Sequence, residues 1–284
     1  MSEILQFLEI IFKPVVFVFT VSNLFAMGLQ VKMPEVIIAL KNKKSIVLIF
    51  VWGWVLGPAL GYLITRVIPL AKPYEVVVLL SSLAPCAPFL PLMMVKARGD
   101  VGFTGAFIPL VVVGAVVFIP LIGPLLIEGL TVKAGTLAKP LLLTLLLPLI
   151  IGAVARHYAD TVAMRIFPAV NALAKFFTLG MIAAGLVIFG PSMLETAGSF
   201  ALLAATIFMV GIALITYLFG FGLKQNQRSV MALGMGTRNL AAIITAAFAI
   251  PNVDPRIVTF IMMWGLWSFV LAAIAARVFG KRAG

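Results

Sequence analysis

Long apolar runs, separated by short segments that contain the charged residues, recur along the whole chain. A helix that crosses a membrane needs about 20 mostly apolar residues, so each run of that length predicts a transmembrane helix. The runs cover about 8–30, 45–68, 75–96, 101–127, 135–155, 168–190, 198–222, 229–250 and 257–279. The pattern therefore predicts an all-α polytopic membrane protein with nine spans, forming a single membrane unit over residues 1–284.

The basic residues between the runs predict how the chain is oriented. If the N-terminus lies outside, thirteen lysines and arginines fall in the inside connections. The outside connections then hold only Arg66, Lys72, Lys133, Lys139 and Arg256. Lysine and arginine are enriched on the cytoplasmic side of membrane proteins. We therefore expect a multi-pass protein of the cell (inner) membrane, with its N-terminus outside and its C-terminus in the cytoplasm.

Composition supports the membrane assignment and excludes several other classes. Hydrophobic residues make up 63% of the chain and charged residues 11%, whereas a soluble domain carries roughly 25% charged residues. The net charge of +12 would suggest a nucleic-acid partner in a soluble protein. Here the basic residues cluster between apolar runs, where they act as topology signals, so the expected surroundings are membrane lipid and not nucleic acid.

Catalytic and metal-binding patterns are missing from the predicted membrane interior. The nine acidic residues lie near span ends or in loops, and the single histidine, His157, lies in an inside loop. There is no HExxH motif, and the one cysteine excludes an internal disulfide and a cysteine-based zinc site. The sequence thus predicts a protein that is not an enzyme and that has no cofactor or metal.

Two of the predicted spans contain residues that interrupt a helix. The third carries Pro85, Pro88 and Pro91 at three-residue spacing, and each proline removes a backbone donor and clashes with the preceding turn. The eighth contains Gly234 and Gly236 just before Arg238. Irregular backbone at membrane depth is tolerated only where it is buried in protein or lines a watery cavity.

The two interrupted spans occupy matching places in the two halves of the chain. Each half has the order helix, helix, broken helix, helix, with one additional helix in one half. This predicts two inverted repeats of four and five helices, at about 8–127 and 135–279. Paired interrupted segments in inverted halves mark the binding site of secondary transporters.

The segment GMGTRN places Arg238 in the middle of the eighth span. It lies about nine residues from the start, which is roughly 13 Å at 1.5 Å per residue. A charge at that depth is costly and marks a functional site by default. The candidate substrate-binding residues around the two breaks are Arg238, Asn239, Thr237, Ser81, Ser82 and Cys86.

The same residues also have purely structural interpretations. Arg238 could cap the interrupted helices through backbone carbonyls, and small polar residues commonly satisfy neighbouring helices in membrane cores. Cys86 could simply fill space within the proline cluster.

Three motifs carry a resemblance to a known family: FAMGLQVKMPE at the end of the first span, KARGDVGFT after the proline cluster, and GTRNLAAIITAAFA in the eighth span. Together with the order of spans, they resemble the bile acid:sodium symporter family. The resemblance implies inverted repeats of five helices, the first helix being missing here, and broken helices that cross at the membrane centre. It also implies a panel domain of helices 8–30, 135–155 and 168–190, and a core domain of the remaining six.

The chain departs from the family at the expected sodium ligands. Six of the corresponding positions hold Gly53, Leu90, Pro91, Ile108, Gly234 and Arg238, whereas Thr104 and Asn239 keep oxygen-bearing side chains. The resemblance therefore implies at most a weak sodium site at Thr104 and Asn239. We expect a secondary transporter that moves a small carboxylate-type organic anion by alternating access, with weak or no sodium coupling because Arg238 replaces a cation.

Other functions remain open at this point. A sodium-coupled anion symporter would need a non-standard oxygen site. An arsenite or metalloid efflux protein would use Cys86 near the first break, and a channel could also be lined by broken helices. The residues specify neither the substrate, nor the direction of transport, nor the oligomeric state.

Overall fold

The computed structural model describes residues 3–127 and 132–282, and this part of the chain is α-helical without a β-strand. The helices are α1 (Glu3–Gly28), α2 (Met33–Lys41), α3 (Lys43–Phe50), α4 (Gly57–Val67), α5 (Lys72–Ser82), α6 (Leu90–Ala97), α7 (Val101–Leu126), α8 (Ala134–Leu141), α9 (Leu147–Tyr158), α10 (Asp160–Ala197), α11 (Ala201–Leu218), α12 (Gln225–Gly236), α13 (Leu240–Phe248) and α14 (Pro255–Arg282). Glu128, one of the acidic residues considered above, lies outside the described residues.

Seven helical segments are long and apolar enough to cross a membrane. They are Leu5–Gly28, Lys43–Val67, Val101–Leu126, Ala134–Tyr158, Asp160–Ala197, Ala201–Leu218 and Pro255–Arg282. These segments match seven of the predicted runs and confirm a polytopic all-α membrane protein. The other two runs are each divided between two short helices, α5 with α6 and α12 with α13. The count of nine spans, the inverted repeats and the orientation stay predictions.

Two of the long segments contain a turn of π-helix, which the sequence analysis did not predict. Val51–Leu56 joins α3 to α4, and Leu142–Leu146 joins α8 to α9. A proline follows each π turn at the start of the next helix, Pro58 in α4 and Pro148 in α9. Proline lacks a backbone donor and crowds the preceding turn, so the chain widens locally to bonds between residues five apart.

The three helices predicted to form a panel pack against one another. Helix α1 contacts α9 and α10, and α9 contacts α10. The contact between α1 and α9 passes through Gly28 and Gly152. A Cβ atom on Gly28 would lie 2.3 Å from the Leu149 carbonyl oxygen, and one on Gly152 would lie 2.5 Å from the Phe25 carbonyl oxygen. Glycine pairs allow this close approach of membrane helices, while the division into panel and core stays a prediction.

Candidate functional site

The first break separates α5 from α6 and occupies residues 83–89. Pro85 and Pro88 lie within it, whereas Pro91 lies in the first turn of α6, where a missing N–H is tolerated. Cys86 has a positive φ of 74°, a conformation that is uncommon for a residue with a side chain. The prolines therefore do two different things: two lie in the irregular segment, and the third helps to start the next helix.

The second break covers only Thr237, Arg238 and Asn239. Helix α12 continues through both glycines to Gly236, and Asn239 begins α13 by accepting a hydrogen bond at Oδ1 from the Ala242 N–H at 3.2 Å. The break thus falls just after Gly234 and Gly236, and both glycines remain helical.

These two glycines serve close packing within the helix. A Cβ atom on Gly234 would lie 2.2 Å from a ring carbon of Phe107, and one on Gly236 would lie 2.8 Å from Cβ of Ala213. A side chain at either position would displace its neighbour, so α12 approaches α7 and α11 closely only because these residues are glycines.

Main-chain hydrogen bonds join the two breaks. The Cys86 N–H is within 2.9 Å of the carbonyl oxygens of both Gly234 and Thr237, and the Asn239 N–H donates to the Ala84 carbonyl oxygen at 2.9 Å. Pro85 and Arg238 form an isolated antiparallel bridge. In addition, Thr237 Oγ1 accepts a hydrogen bond from the Ala87 N–H at 3.2 Å. The crossing is therefore held mainly by backbone atoms, with Thr237 Oγ1 as a side-chain contribution.

Arg238 lies inside this crossing with only 1% of its surface exposed. Its Nη1 donates to the Ser81 carbonyl oxygen at 3.1 Å, and its guanidinium carbon lies 4.7 Å from the centre of the Phe208 ring. Ser81 is in the last turn of α5, where the helix dipole favours a positive charge, and its carbonyl oxygen also accepts from the Ala84 N–H at 3.1 Å. The backbone carbonyl is thus one partner of the buried charge, and the aromatic face is a second.

The remaining part of the Arg238 side chain has no partner. Its Nε and Nη2 atoms make no hydrogen bond, and Arg238 forms no ion pair with a carboxylate within residues 3–127 and 132–282. Buried polar groups are normally hydrogen-bonded, and each exception calls for an explanation. The free atoms form one edge of the guanidinium, which matches the two oxygens of a carboxylate.

Further donors near the crossing are also unpaired. Ser81 Oγ, Asn239 Nδ2 and Trp264 Nε1 are buried without a partner in the described part of the chain. Trp264 packs against the same Phe208 ring as Arg238, with 6.0 Å between the ring centres. Neither Trp264 nor Phe208 was predicted as a site residue, because nothing distinguishes them from the other aromatic residues in apolar runs.

Three other predicted site residues have local partners. Ser82 Oγ donates to the Leu79 carbonyl oxygen at 2.7 Å, and Thr237 Oγ1 donates to the Leu233 carbonyl oxygen at 2.7 Å. The Cys86 thiol is fully buried, with Sγ 3.8 Å from the Ala87 carbonyl oxygen. The hydroxyl and thiol protons of these three residues are therefore directed to backbone carbonyl oxygens.

Of the two predicted sodium ligands, Asn239 has its Oδ1 engaged by the Ala242 N–H, and Thr104 lies in the first turn of α7. Its Oγ1 donates to the Asp100 carbonyl oxygen at 2.6 Å. Across the described residues, no group of three or more His, Cys, Asp or Glu side chains is placed to hold a metal ion.

Comparison with known proteins identifies the family. Residues 17–196 match the model of the Sodium Bile acid symporter family. This chain belongs to that family. The membership predicted from the three motifs is thereby confirmed. The matched range begins within α1, includes the first break and ends before the second break.

A curated relative extends the similarity to the second half of the chain. The chain is 24% identical, over 258 residues, to the "Probable sodium/metabolite cotransporter BASS3, chloroplastic" of Arabidopsis thaliana. The alignment covers 87% of this chain and 60% of the relative. This member of the sodium bile acid symporter family therefore spans only about three-fifths of that plant protein's length.

Proposed function

We propose that this protein is a secondary transporter that moves a small organic anion by alternating access, and that Arg238 supplies a fixed positive charge at the crossing of its two broken segments. The family assignment supports the transporter class. The observation that supports an anionic substrate is the unpaired edge, Nε and Nη2, of the Arg238 guanidinium, a residue that is 1% exposed. A buried charge without a partner is costly, and a substrate carboxylate would accept from both atoms.

The chemistry of the crossing favours an anion over a sodium ion. A hard cation needs several oxygen ligands, yet most of the unpaired groups at the crossing are nitrogens: the Arg238 edge, the Asn239 amide and the Trp264 indole. These nitrogens donate hydrogen bonds and cannot coordinate a cation, and Ser81 Oγ adds a single unpaired oxygen. We propose that sodium coupling is accordingly weak or absent.

The sodium-coupled alternative is supported by the name of the family, which includes sodium symport, and by that of the plant relative, a probable sodium/metabolite cotransporter. If this protein shares that coupling, its sodium site uses oxygen atoms other than those the family resemblance indicates. Thr104 offers lone pairs at the start of α7, although its proton is committed to the Asp100 carbonyl.

Uptake into proteoliposomes tests the proposal. Purified protein is assayed with labelled small carboxylates in sodium buffer and in choline buffer, together with Arg238→Gln. The matched control is Arg228→Gln, which makes the same change on α12 where the arginine Nε donates to the Leu223 carbonyl. We expect wild-type and Arg228→Gln uptake to be similar in both buffers, and Arg238→Gln to lose about tenfold or more, as expected for a charge-assisted contact.

Two outcomes would contradict parts of this proposal. Wild-type uptake that collapses in choline would establish sodium coupling and remove the claim about Arg238 as a cation substitute. Arg238→Gln uptake equal to that of wild type would show that Arg238 only caps α5.

A further inference from the structure

The loop between α11 and α12 exposes two aromatic side chains at the end of an apolar span. Phe219 is 51% exposed and Phe221 is 56% exposed, directly after the span Ala201–Leu218. Phe221 has a positive φ of 33°, which is uncommon for a residue with a side chain. Its ring stacks on the buried Trp52 ring, with 6.5 Å between the two centres. This packing fixes the loop in a shape that leaves about half of each phenylalanine open to the surroundings.

Four exposed lysines surround this loop. Lys44 lies directly against it, because a Cβ atom on Gly222 would be 2.7 Å from the Lys44 Nζ atom. Lys224 follows Gly222 by two residues, so their Cα atoms are at most about 7 Å apart. Lys41 and Lys43 lie within three residues of Lys44, and the side chains of all four are exposed. These four residues, which we call the lysine cluster, concentrate positive charge around the loop.

No carboxylate pairs with the lysine cluster within the described part of the chain. The acidic side chains of the adjoining segments, Glu35 and Asp100, are engaged elsewhere. Glu35 of α2 pairs with Lys32 at 3.4 Å. Asp100 caps α7 by accepting from the Phe103 N–H at 2.8 Å, and its other oxygen lies 3.5 Å from the Gln227 amide nitrogen. Like charges held close together repel, so the cluster favours an anion from outside the chain.

The lysine cluster and the aromatic loop lie where apolar helices end. The span Lys43–Val67 begins at the cluster, and the span Ala201–Leu218 ends one residue before Phe219. A phospholipid has its phosphate at this level of a membrane and its acyl chains immediately below. Basic residues next to membrane-spanning segments attract anionic lipids, and phenylalanine side chains are favourable at the same interface. The adjacent charge and apolar surface therefore match the two parts of one anionic lipid.

Helix α2 extends the apolar surface on the other side of the lysines. Its Ile37, Ile38 and Leu40 are exposed, and Lys41 follows them directly. The helix packs on α7 and, with nine residues, is far shorter than the roughly 20 that cross a membrane. A short helix with exposed apolar residues beside lysines is suited to lie in the membrane interface. A water-soluble anion would leave these side chains uncovered, whereas the acyl chains of a phospholipid cover them.

We propose that the lysine cluster binds the phosphate head group of an anionic membrane phospholipid, whose acyl chains cover Phe219, Phe221 and the exposed side chains of α2. This site is independent of the proposed function, because it binds no transported substrate. Helix α12 begins at Gln225, directly after Lys224, and leads to the second break. The bound lipid therefore holds the membrane-surface end of the helix that precedes the crossing.

Lipid titration of the delipidated protein in detergent tests this site. Native mass spectrometry measures the affinity for dioleoylphosphatidylglycerol and for dioleoylphosphatidylcholine, which has the same acyl chains and no net charge. We expect wild type to bind phosphatidylglycerol more tightly. In Lys44→Gln/Lys224→Gln the affinity for phosphatidylglycerol should fall about tenfold or more, because each basic residue near the membrane surface adds to the attraction. The affinity for phosphatidylcholine should stay near the wild-type value.

Two further double variants serve as controls. Lys44→Arg/Lys224→Arg keeps both charges and should retain the affinity for phosphatidylglycerol. Lys133→Gln/Lys139→Gln makes the same loss of charge in exposed lysines at the start of the span Ala134–Tyr158 and should also bind like wild type. The proposal is overturned if wild type binds the two lipids equally, or if Lys44→Gln/Lys224→Gln keeps its affinity for phosphatidylglycerol.

A third ligand distinguishes a lipid from a soluble anion. Glycerol 3-phosphate carries the phosphate without acyl chains, and it should not shift thermal unfolding, whereas phosphatidylglycerol should raise the midpoint. Phe219→Ser should weaken the binding of both lipids alike, because they have the same chains. An equal shift with glycerol 3-phosphate, or wild-type lipid affinity in Phe219→Ser, would overturn the assignment to a membrane lipid. None of these measurements depends on uptake, so this proposal and the transporter proposal fail separately.

Discussion

The two broken segments of this protein are built in opposite ways. The first is seven residues long and contains Pro85 and Pro88, and its Leu83 and Ala84 carbonyl oxygens accept hydrogen bonds from other segments. The second is three residues long. It donates through the Arg238 guanidinium and the Asn239 N–H, and Thr237 accepts from the Cys86 and Ala87 N–H groups of the first break. Proline removes backbone N–H groups, whereas the Arg238 side chain adds donors, so the two breaks differ in the donors they supply.

This difference places a positive charge at the crossing. Three carbonyls at or beside the first break accept from other segments: Ser81 from Arg238 Nη1, Leu83 from the Trp54 indole, and Ala84 from the Asn239 N–H. The guanidinium has five N–H donors, and its Nε and Nη2 remain without a hydrogen bond. The crossing therefore has unused donors, which the two oxygens of a carboxylate can satisfy.

The largest effect on stability is expected at Gly234, because a glycine is needed there for close packing and not for a bend in the helix. Gly234→Ala would push a methyl group into the Phe107 ring, and overpacking of this kind costs about 1–3 kcal/mol. Phe107→Leu should restore part of the loss in the double variant. The measurement is the midpoint of heat-induced loss of monodisperse protein in detergent.

Gly180→Ala is the control, because a Cβ atom on Gly180 of α10 would meet nothing within 4 Å. A Gly234→Ala variant as stable as wild type, or one that Phe107→Leu fails to rescue, would mean that the second break tolerates a larger residue and that its glycines are not packing residues.

The second prediction concerns the stability contributed by one hydrogen bond to a carbonyl of the first break. Trp54→Phe removes the indole N–H that reaches the Leu83 carbonyl at 3.2 Å. Trp52, in the same π turn, is also buried but its Nε1 has no partner, so Trp52→Phe is the matched control. We expect Trp54→Phe to be less stable than Trp52→Phe by about 1–2 kcal/mol in thermal unfolding, the cost of an unsatisfied carbonyl. Equal stability would show that the first break does not need this donor.

A smaller effect on stability is expected at Asn239, where the second break ends and α13 begins. Asn239→Ala removes the cap of α13 and should cost about 1 kcal/mol. Asn239→Asp keeps the capping oxygen but places a negative charge beside Arg238, so it should remain near wild-type stability while lowering anion uptake. Thermal unfolding and uptake are measured on both variants, and an Asp variant with full uptake would argue against an anion at this crossing.

The smallest effect is expected at the third proline of the first break. Pro91 occupies the first turn of α6, where a backbone donor is not needed. Pro91→Ala should therefore change stability by less than about 1 kcal/mol, mainly through the unfolded chain. Thermal unfolding that drops as far as in Gly234→Ala would place Pro91 among the residues that maintain the break.

Much of the architecture could be predicted from the sequence, because helices that can span a membrane are recognised by their length and apolar composition. The prolines and the segment GMGTRN also indicated where the interruptions fall, to within a few residues. The role of the glycines was less accessible: Gly234 and Gly236 lie beside the break, yet they remain helical, since their use depends on Phe107 and Ala213 from other helices.

The contacts of the site were less predictable than its position. The hydrogen-bond partner of Arg238 is the backbone carbonyl of Ser81. Every residue has a backbone carbonyl, so the sequence does not indicate which one a side chain contacts. Trp264 and Phe208 come from different helices and carry no local pattern.

Cys86 gives the crossing a built-in chemical reporter. It is the single cysteine of the chain, it is fully buried, and its N–H faces carbonyl oxygens on the opposite break. A maleimide reagent can reach its sulfur only when the two segments separate. The rate of alkylation would therefore report how often the two breaks of the intact protein separate, with no engineered label, and an anion that holds them together would lower that rate.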